Sequence, residues 1–361
     1  RQMCIRDSCY FMLVLAVALF AASQYFSPII LRDIIESPQV YGATADYLHW
    51  RTYGIFFSFL CVMFRAYYVG ITQTKILTVN SIVMLLSNVA LNYCLIFGKG
   101  GFPAAGIAGA AIASSVSEAV SLLFFIIYTS MTADKRKYGF RRAFTLRPHL
   151  LKGMLSISGW TMVQSFISVS IWFIFFLAIE HLGERPLAVT NIVRNISALL
   201  IMVISAFATT AGALISNQIG AGEQRCLFKT CGMTLKLTYA ILIPLLIILC
   251  LFPEPVLRAF TDSPSLIAAS VNSVYVMASS TLIMAPSFIL FNAVSGTGNT
   301  KAGFIMEMIS LAVYTAVIYY GIIRLKPDVA LCWFSEHVYG VTLIILAWWY
   351  LKSGKWRGKK V

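Results

Sequence analysis

The chain has 361 residues and a formal net charge of +14, from 28 Lys and Arg against 14 Asp and Glu. Apolar residues make up 59% of it, charged residues only 12%, and the mean hydropathy is +0.81. Because a soluble domain carries about 25% charged residues, this composition excludes a soluble globular protein, a disordered chain and a nucleic-acid-binding module.

Long apolar runs follow one another along the whole chain. A helix needs about 20 mostly apolar residues to span a bilayer, and ten runs meet this requirement. They cover residues 9–31, 48–70, 74–98, 105–131, 153–180, 187–217, 229–253, 268–293, 302–323 and 330–351. Lipid offers no partner to backbone polar groups, and the short alternating segments of a membrane barrel are not seen. The sequence therefore predicts an all-α integral membrane protein with ten transmembrane helices.

Basic residues concentrate in two places, the loop 132–152 and the C-terminal tail 352–361. An even number of predicted spans separates them, so both lie on the same side of the membrane. Lys and Arg in short loops favour the cytoplasmic side. We therefore predict a multi-pass protein of the bacterial inner (cytoplasmic) membrane with its C-terminus in the cytoplasm.

Two short motifs recur at one spacing of 226 residues. Residues 31–38 read LRDIIESP and residues 257–264 read LRAFTDSP; residues 70–75 read GITQTK and residues 296–301 read GTGNTK. The copies are separated by an even number of spans and so have the same orientation. Two such repeats are related by an axis along the membrane normal.

The repeat predicts the organisation of the chain. The spans at 153–180 and 187–217 open the second copy, and their counterparts would lie before residue 1. We therefore expect a chain that lacks about two N-terminal helices of a twelve-helix, two-lobe (6+6 parallel repeat) protein. The predicted parts are helices 3–6 of the N-terminal lobe at 1–131, a basic cytoplasmic linker at 132–152, helices 7–12 of the C-terminal lobe at 153–351, and a basic cytoplasmic tail at 352–361.

Acidic residues inside predicted spans are the first candidates for function, since an ionisable group in a membrane is costly. Glu118 lies at the centre of its span and shares a helix face with Ser114 and Ser121. It is either a coupling carboxylate that faces a cavity or a protonated Glu held between packed helices. Glu307, near the cytoplasmic end of its span, is either a gate residue or an interfacial ion-pair partner. Glu180 and Glu336 lie near outer ends and are expected to be solvated.

The other candidates are polar residues of two neighbouring spans. Arg194, with Asn191 and Asn195 beside it, either contacts an anionic group or an acid inside a cavity, or snorkels to the outer surface. Gln164 and Ser168 place polar groups well inside the span 153–180, where they either line a cavity or make hydrogen bonds between helices.

Four segments together resemble the multidrug and toxic compound extrusion (MATE) transporters. Residues 88–98 (NVALNYCLIFG) with 106–113 (GIAGAAIA) look like the family's fifth helix running into its sixth. Residues 216–222 (SNQIGAG) look like the exit of its eighth helix, and residues 294–300 (VSGTGNT) are similar to the turn between helices ten and eleven.

The resemblance implies twelve helices in two lobes, a central cavity, and export of amphipathic, cationic organic compounds in exchange for protons or sodium ions. One departure concerns the coupling acids. Many members carry an acid on helix seven and another on helix ten, whereas residues 153–179 and 265–293 contain no Asp or Glu here. Glu118 is therefore the first candidate for a coupling carboxylate in this chain.

We accordingly predict a secondary active transporter rather than an enzyme, with no catalytic residues, no bound metal and no cofactor beyond the coupling ion. Its expected partners are a small-molecule substrate and the lipid bilayer, without nucleic acid, and we expect a monomer. The alternative is a flippase for a lipid-linked saccharide, from a related two-lobe fold. That function calls for a cationic cavity, to which Arg194 alone would contribute.

Overall fold

The computed structural model describes residues 2–34, 38–71, 73–132, 148–354 and 356. It divides into two compact units, one from Arg1 to Gly153 and one from Met154 to Val361. Most of the predicted basic linker (133–147) and most of the tail (355 and 357–361) lie outside the described residues. The domain limits deduced from the repeat stay a prediction.

The first unit is built from five helices. They are α1 (Gln2–Ile34), α2 (Pro38–Thr52), α3 (Gly54–Gly70), α4 (Lys75–Phe97) and α5 (Gly106–Thr132). Its core lies between α3 and α5, where the Phe64 and Phe125 rings stack with centroids 5.5 Å apart. Polar residues join α4 to α5, because Asn80 and Ser121 exchange two hydrogen bonds of 2.8 and 3.1 Å.

The second unit contains most of α6 and all the later helices. They are α6 (Pro148–Glu180), α7 (Glu184–Gly220), α8 (Leu227–Leu251), α9 (Pro253–Arg258), α10 (Pro264–Gly296), α11 (Thr300–Val317), α12 (Val329–Cys332) and α13 (Ser335–Ser353). A 3₁₀ turn at Gln224–Cys226 precedes α8, and a π-helix at Ile318–Arg324 extends α11. Asn299 and Asp328 accept hydrogen bonds from the first turns of α11 and α12 and so fix where these helices begin.

Helices α7 and α10 form the centre of the second unit. Their backbones come close at two glycines, because a Cβ added to Gly296 would lie 2.5 Å from the carbonyl oxygen of Gly212. The surrounding core is apolar, with the buried residues Ile204, Leu242 and Met277 among its members. Small residues at a crossing allow this approach between membrane helices.

Nine helices in the described part of the chain are long and apolar enough to cross a membrane, or up to ten if a bent pair counts as one span. The bent pair is α2 with α3, which meet at an angle of 44°. The span predicted at 48–70 is longer than expected and bent, since the helical segment begins at Pro38 and breaks at Tyr53. The span predicted at 330–351 is likewise interrupted, between α12 and α13.

Helix ends recur at the spacing of the sequence repeat. Pro38 begins α2 and Pro264 begins α10, while Gly70 ends α3 and Gly296 ends α10. Each pair is 226 residues apart. Proline is favoured in the first turn of a helix because a backbone N–H at that position has no partner within the helix, so its absence costs no hydrogen bond. The repeated motifs therefore mark the same structural points in both units.

Candidate functional site

A cavity of about 430 Å³ lies within the second unit, between α6, α7, α10, α11 and α13. Each helix presents one face to it, as shown by the spacing of Arg194, Ser197 and Ile201 on α7 and of Glu307, Leu311 and Tyr314 on α11. Residues three, four and seven apart share a helix face. The cavity therefore combines an apolar wall with a few polar side chains, as ligand-binding sites commonly do.

Glu307 is the most deeply buried acid of this cavity, with 4% of its surface exposed. Its Oε1 accepts hydrogen bonds from the Ser168 hydroxyl and the Tyr339 hydroxyl, each at 2.9 Å. Its Oε2 accepts no hydrogen bond from any residue that the structure describes. A buried carboxylate needs such partners to offset the loss of water, and one oxygen stays available for a proton or a cation.

Ser168 has two acceptors within reach of its single hydroxyl proton. One is Glu307 Oε1, and the other is the backbone carbonyl of Gln164, also at 2.9 Å. A hydroxyl donates one proton but can also accept. When Glu307 carries a proton on Oε1, it can donate to Ser168 while Ser168 donates to the carbonyl of Gln164. Both protonation states of Glu307 are therefore satisfied without movement of the backbone.

A second acid of the cavity, Glu336, also accepts a hydrogen bond from a tyrosine, but here the tyrosine is on α11 and the acid on α13. The Tyr314 hydroxyl of α11 donates to Glu336 Oε1 of α13 at 2.8 Å, just as Tyr339 of α13 donates to Glu307 of α11. The two tyrosine rings meet edge to face, with centroids 5.8 Å apart. Each of these two antiparallel helices thus provides a tyrosine hydroxyl that donates to a glutamate of the other helix. The expectation that Glu336 is solvated at the outer end is wrong.

Arg194 supplies the positive charge of the cavity. Its guanidinium carbon lies 4.9 Å from the centroid of the Phe176 ring, a cation–π contact between α7 and α6. Among the described residues, no carboxylate oxygen lies within 4.0 Å of Arg194. The cavity therefore contains an arginine and two glutamates that do not form a direct ion pair.

Glu118 lies in the first unit and has a partner that the sequence did not suggest. Arg51, near the end of α2, donates from Nη1 to Oε2 at 3.0 Å and from Nη2 to Oε1 at 2.7 Å. The pair is partly buried, with 33% of the Arg51 side chain and 16% of the Glu118 side chain exposed. Gly54 leaves room for it, because a Cβ there would overlap both charged groups.

The structure brings together only some of the predicted site residues. Glu307, Arg194 and Ser168 line one cavity, and Gln164 takes part through its backbone carbonyl. Asn191 and Asn195 are not among the residues that line it, and Asn195 is exposed.

The tyrosines of the cavity were missed by the sequence analysis. A spacing signal exists, since Glu307 and Tyr314 are seven residues apart and Glu336 and Tyr339 three apart. Such spacings place each pair on one helix face. Nothing in the sequence, however, shows that the two faces meet.

Taken together, the apolar helices, the parallel repeat and the polar cavity define a multi-pass helical membrane protein with two related units. The sequence profile of the MatE family matches residues 3–94 and 161–320. The chain belongs to this family, which is one of membrane transporters rather than enzymes.

Curated relatives agree with this assignment. The chain is 26% identical over 291 residues to the probable multidrug resistance protein NorM of Thermotoga maritima, a match that covers 76% of this chain and 59% of the relative. It is 25% identical over 268 residues to the uncharacterized transporter YisQ of Bacillus subtilis, covering 71% of this chain and 56% of that protein. The chain thus matches less than two thirds of the length of these relatives.

Solved structures share the fold. A MOP superfamily transporter from Pyrococcus furiosus superposes with a TM-score of 0.87 at 16% identity, covering 98% of this chain and 79% of that one. The MATE transporter VcmN of Vibrio cholerae, in its bent form, gives a TM-score of 0.77 at 13% identity, covering 97% and 78%. The all-α, two-lobe transporter fold predicted from the sequence is confirmed.

Proposed function

We propose that this protein is a secondary active efflux antiporter that exports amphipathic organic compounds carrying a positive charge, in exchange for protons. The observation that carries the proposal is the cavity of the second unit, where two carboxylates on α11 and α13 lie beside an aromatic and aliphatic wall. The names of the matched relatives, a multidrug resistance protein and a transporter, support the same class of activity.

Glu307 is the proposed coupling carboxylate. Its Oε2 is free of hydrogen bonds from the described residues. Ser168 can donate a hydrogen bond to the charged form of Glu307 and accept one from the protonated form. Glu118, by contrast, is engaged by the Arg51 guanidinium through both its oxygens. A proton needs only one acceptor atom, whereas hard metal cations in proteins are commonly held by about six oxygen ligands. The small set of oxygens at Glu307 therefore favours protons over sodium.

Exchange follows from competition for the same acid. A cationic substrate is attracted by the charged form of Glu307 and is released when a proton neutralises it. Such competition links the two binding equilibria, and a coupling free energy of about 1–3 kcal/mol changes the apparent affinity about 5- to 150-fold. The wall formed by Trp172, Met284 and Phe288 accommodates the apolar part of the substrate.

Flipping of a lipid-linked saccharide has less support. A diphosphate would need several cations, but among the described residues that line the cavity Arg194 is the one cation, and it lies with the acids Glu307 and Glu336. Charge complementarity therefore favours a substrate with a positive group.

The test is gradient-driven transport in proteoliposomes with rhodamine 123, a fluorescent aromatic cation. We expect movement of the dye under an imposed pH gradient at equal sodium on both sides, and none under a sodium gradient at equal pH. Glu307→Gln should abolish the pH-driven movement, because the variant has no carboxylate at this position to exchange a proton for the substrate.

The matched control is Glu180→Gln, since Glu180 is an exposed acid at the end of α6 and outside the cavity. It should transport like the wild type. Unchanged transport in Glu307→Gln, or movement driven by sodium alone, would overturn the assignment of proton coupling to Glu307. An absence of gradient-driven movement for both rhodamine 123 and its free-acid counterpart would overturn the proposed export.

A further inference from the structure

Helix α8 carries two lysines on one exposed face. Lys229 and Lys236 are seven residues apart, a spacing that places them on the same side of a helix, and both residues are exposed. Lys236 lies nine residues after Leu227, where α8 begins, which corresponds to about 14 Å along the helix axis. A lysine this far into an apolar span is costly unless its ammonium group reaches water or an anion.

Neither lysine is paired with an acid in the part of the chain that the structure describes. No carboxylate oxygen of a described residue lies within 4.0 Å of the Lys229 or Lys236 ammonium nitrogen. The acid nearest in sequence, Glu223, is exposed in the turn before α8, and the exposed Arg225 follows it. Three basic residues against one acid therefore leave this end of α8 positively charged, so that it can attract an anion from outside the protein.

An open gap lies between the two lysines. Gly232, on the same face, is exposed, and a Cβ added to it would meet nothing within 4 Å. The Cα atoms of Lys229 and Lys236 are about 10 Å apart along the helix axis, and side chains on a helix lean toward its N-terminus. The Lys236 side chain is therefore expected to extend toward Gly232. An oxyanion above Gly232 can accept hydrogen bonds from both ammonium groups, each of which has three N–H donors.

The same face of α8 becomes aliphatic after Lys236. Ala240, Ile243 and Ile247 follow at helical spacing and are exposed, Ile243 to 44% and Ile247 to 51%. A basic end followed by an aliphatic end matches the two parts of a phospholipid, its phosphate and its acyl chains. A free phosphate would use only the basic end.

We propose that this face of α8 binds an anionic phospholipid of the surrounding bilayer. The phosphate lies over Gly232 between Lys229 and Lys236, and an acyl chain runs along Ile243 and Ile247. The predicted orientation of the chain assigns this lipid to the cytoplasmic leaflet, where anionic lipids attract Lys and Arg. The inference concerns a lipid partner and does not depend on the proposed export.

The test compares two phospholipids that share their acyl chains and differ in headgroup charge. Dioleoylphosphatidylglycerol carries a net negative charge, whereas dioleoylphosphatidylcholine is neutral overall. The delipidated protein in detergent is titrated with each lipid, and bound molecules are counted by native mass spectrometry. We expect the wild type to bind phosphatidylglycerol at least about tenfold more tightly, since each lysine near an anionic headgroup contributes about fivefold.

Three variants separate the parts of the site. Lys229→Gln and Lys236→Gln should each weaken the binding of phosphatidylglycerol about fivefold and leave phosphatidylcholine within about twofold. Lys236→Arg keeps the positive charge and should stay within about twofold of the wild type. Gly232→Leu keeps both lysines but fills the gap between them, and should weaken the binding of phosphatidylglycerol at least about threefold. Because Gly232 faces open space, the larger side chain leaves the packing of α8 intact.

The matched control is Lys75→Gln, which removes the same charge from an exposed lysine at the start of α4, in the first unit. It should bind both lipids like the wild type. Thermal melting followed by circular dichroism identifies any variant that is not folded, and the comparison is made among the folded ones.

Three outcomes overturn the proposal. A wild type that binds both lipids equally has no preference for an anionic headgroup. A loss in Lys75→Gln as large as in Lys236→Gln shows only diffuse attraction by the net charge of +14. A Gly232→Leu variant that binds phosphatidylglycerol like the wild type shows that the phosphate does not lie over Gly232. Transport of rhodamine 123 is a separate measurement, so its failure would affect the export proposal and not this one.

Discussion

Glu118 illustrates how a partner changes the meaning of a single charged residue. Placed in the middle of an apolar span, it has the position expected of a coupling acid. The structure pairs both its oxygens with Arg51, so that its negative charge is already balanced inside the protein. The pair joins the end of α2 to the middle of α5. We therefore assign Glu118 first to the stability of the bend between α2 and α3.

This assignment predicts the behaviour of neutral variants. Arg51→Gln and Glu118→Gln should each lower the free energy of unfolding by about 1–3 kcal/mol, because each leaves one charged partner partly buried and alone. The double variant should lose less than the sum of the two, since it leaves no unpaired charge. Denaturation of the detergent-solubilised variants measures these differences.

Transport separates this role from a coupling role. If Glu118 is structural, both single variants should move rhodamine 123 at the wild-type rate per folded protein. If Glu118→Gln abolishes the pH-driven movement while Arg51→Gln keeps it, Glu118 is a coupling acid and the structural assignment is wrong. Additive losses of stability in the double variant would show that the two residues do not act as a pair.

Arg51 could not be recognised from the sequence for a physical reason. Hydropathy places it at the start of the predicted span 48–70, where a basic residue commonly reaches the interface. Only the earlier start of the helix, at Pro38, brings Arg51 inside the helical segment and opposite α5. The acids Glu118 and Glu307 stood out on their own because a carboxylate within a membrane span is rare.

Among the elements, the crossing of α7 and α10 is the contact most sensitive to volume. Gly296→Ala should lower the free energy of unfolding by about 1–3 kcal/mol, because the added Cβ would press on the backbone of Gly212, which cannot move aside as a side chain could. The control is Gly232→Ala in α8, where an added Cβ meets nothing within 4 Å. Thermal denaturation of both variants measures the difference, and equal losses would show that the close approach is not required.

Apolar runs predicted where most helices lie to within a few residues, as at 74–98 for α4 and 105–131 for α5. The break between α2 and α3 could not be predicted from the sequence, because Tyr53 is apolar and keeps helical φ and ψ angles. Hydropathy reports only how apolar a window is, so it does not detect a change of helix direction. The cavity could not be predicted for a related reason, since it depends on which faces of five helices meet.

For the whole molecule, the charge of the loops predicts the orientation in the membrane. Green fluorescent protein fused after Val361 should fluoresce, and alkaline phosphatase fused at the same place should be inactive, because the basic tail keeps this end in the cytoplasm. The control is alkaline phosphatase fused within residues 99–105, predicted to be on the outer side, where it should be active. The reverse pattern of activities would contradict the predicted orientation.

The two units share a plan of helices but not their charged residues. At the spacing of 226 residues, the position equivalent to Glu307 is Ser81, and the position equivalent to Glu118 is Ile344. Repeated motifs at helix ends could therefore predict the two-lobe organisation, while the functional residues had to be found in each unit separately. The second unit carries the cavity, and the first carries the Arg51–Glu118 pair.

The two Tyr–Glu hydrogen bonds between α11 and α13 also limit how this protein can evolve. Losing Glu307 alone would leave the Tyr339 hydroxyl without its acceptor, and losing Tyr314 alone would remove one hydrogen-bond donor of Glu336, which also has Trp172 as a partner. A compensating double replacement should therefore be better tolerated than a single one at Tyr314 and Glu336, whereas Glu307 should be retained, because the proposed proton coupling requires its carboxylate. We expect Tyr314 and Glu336 to change together in descendants of this sequence, so that covariation between α11 and α13 would indicate their contact.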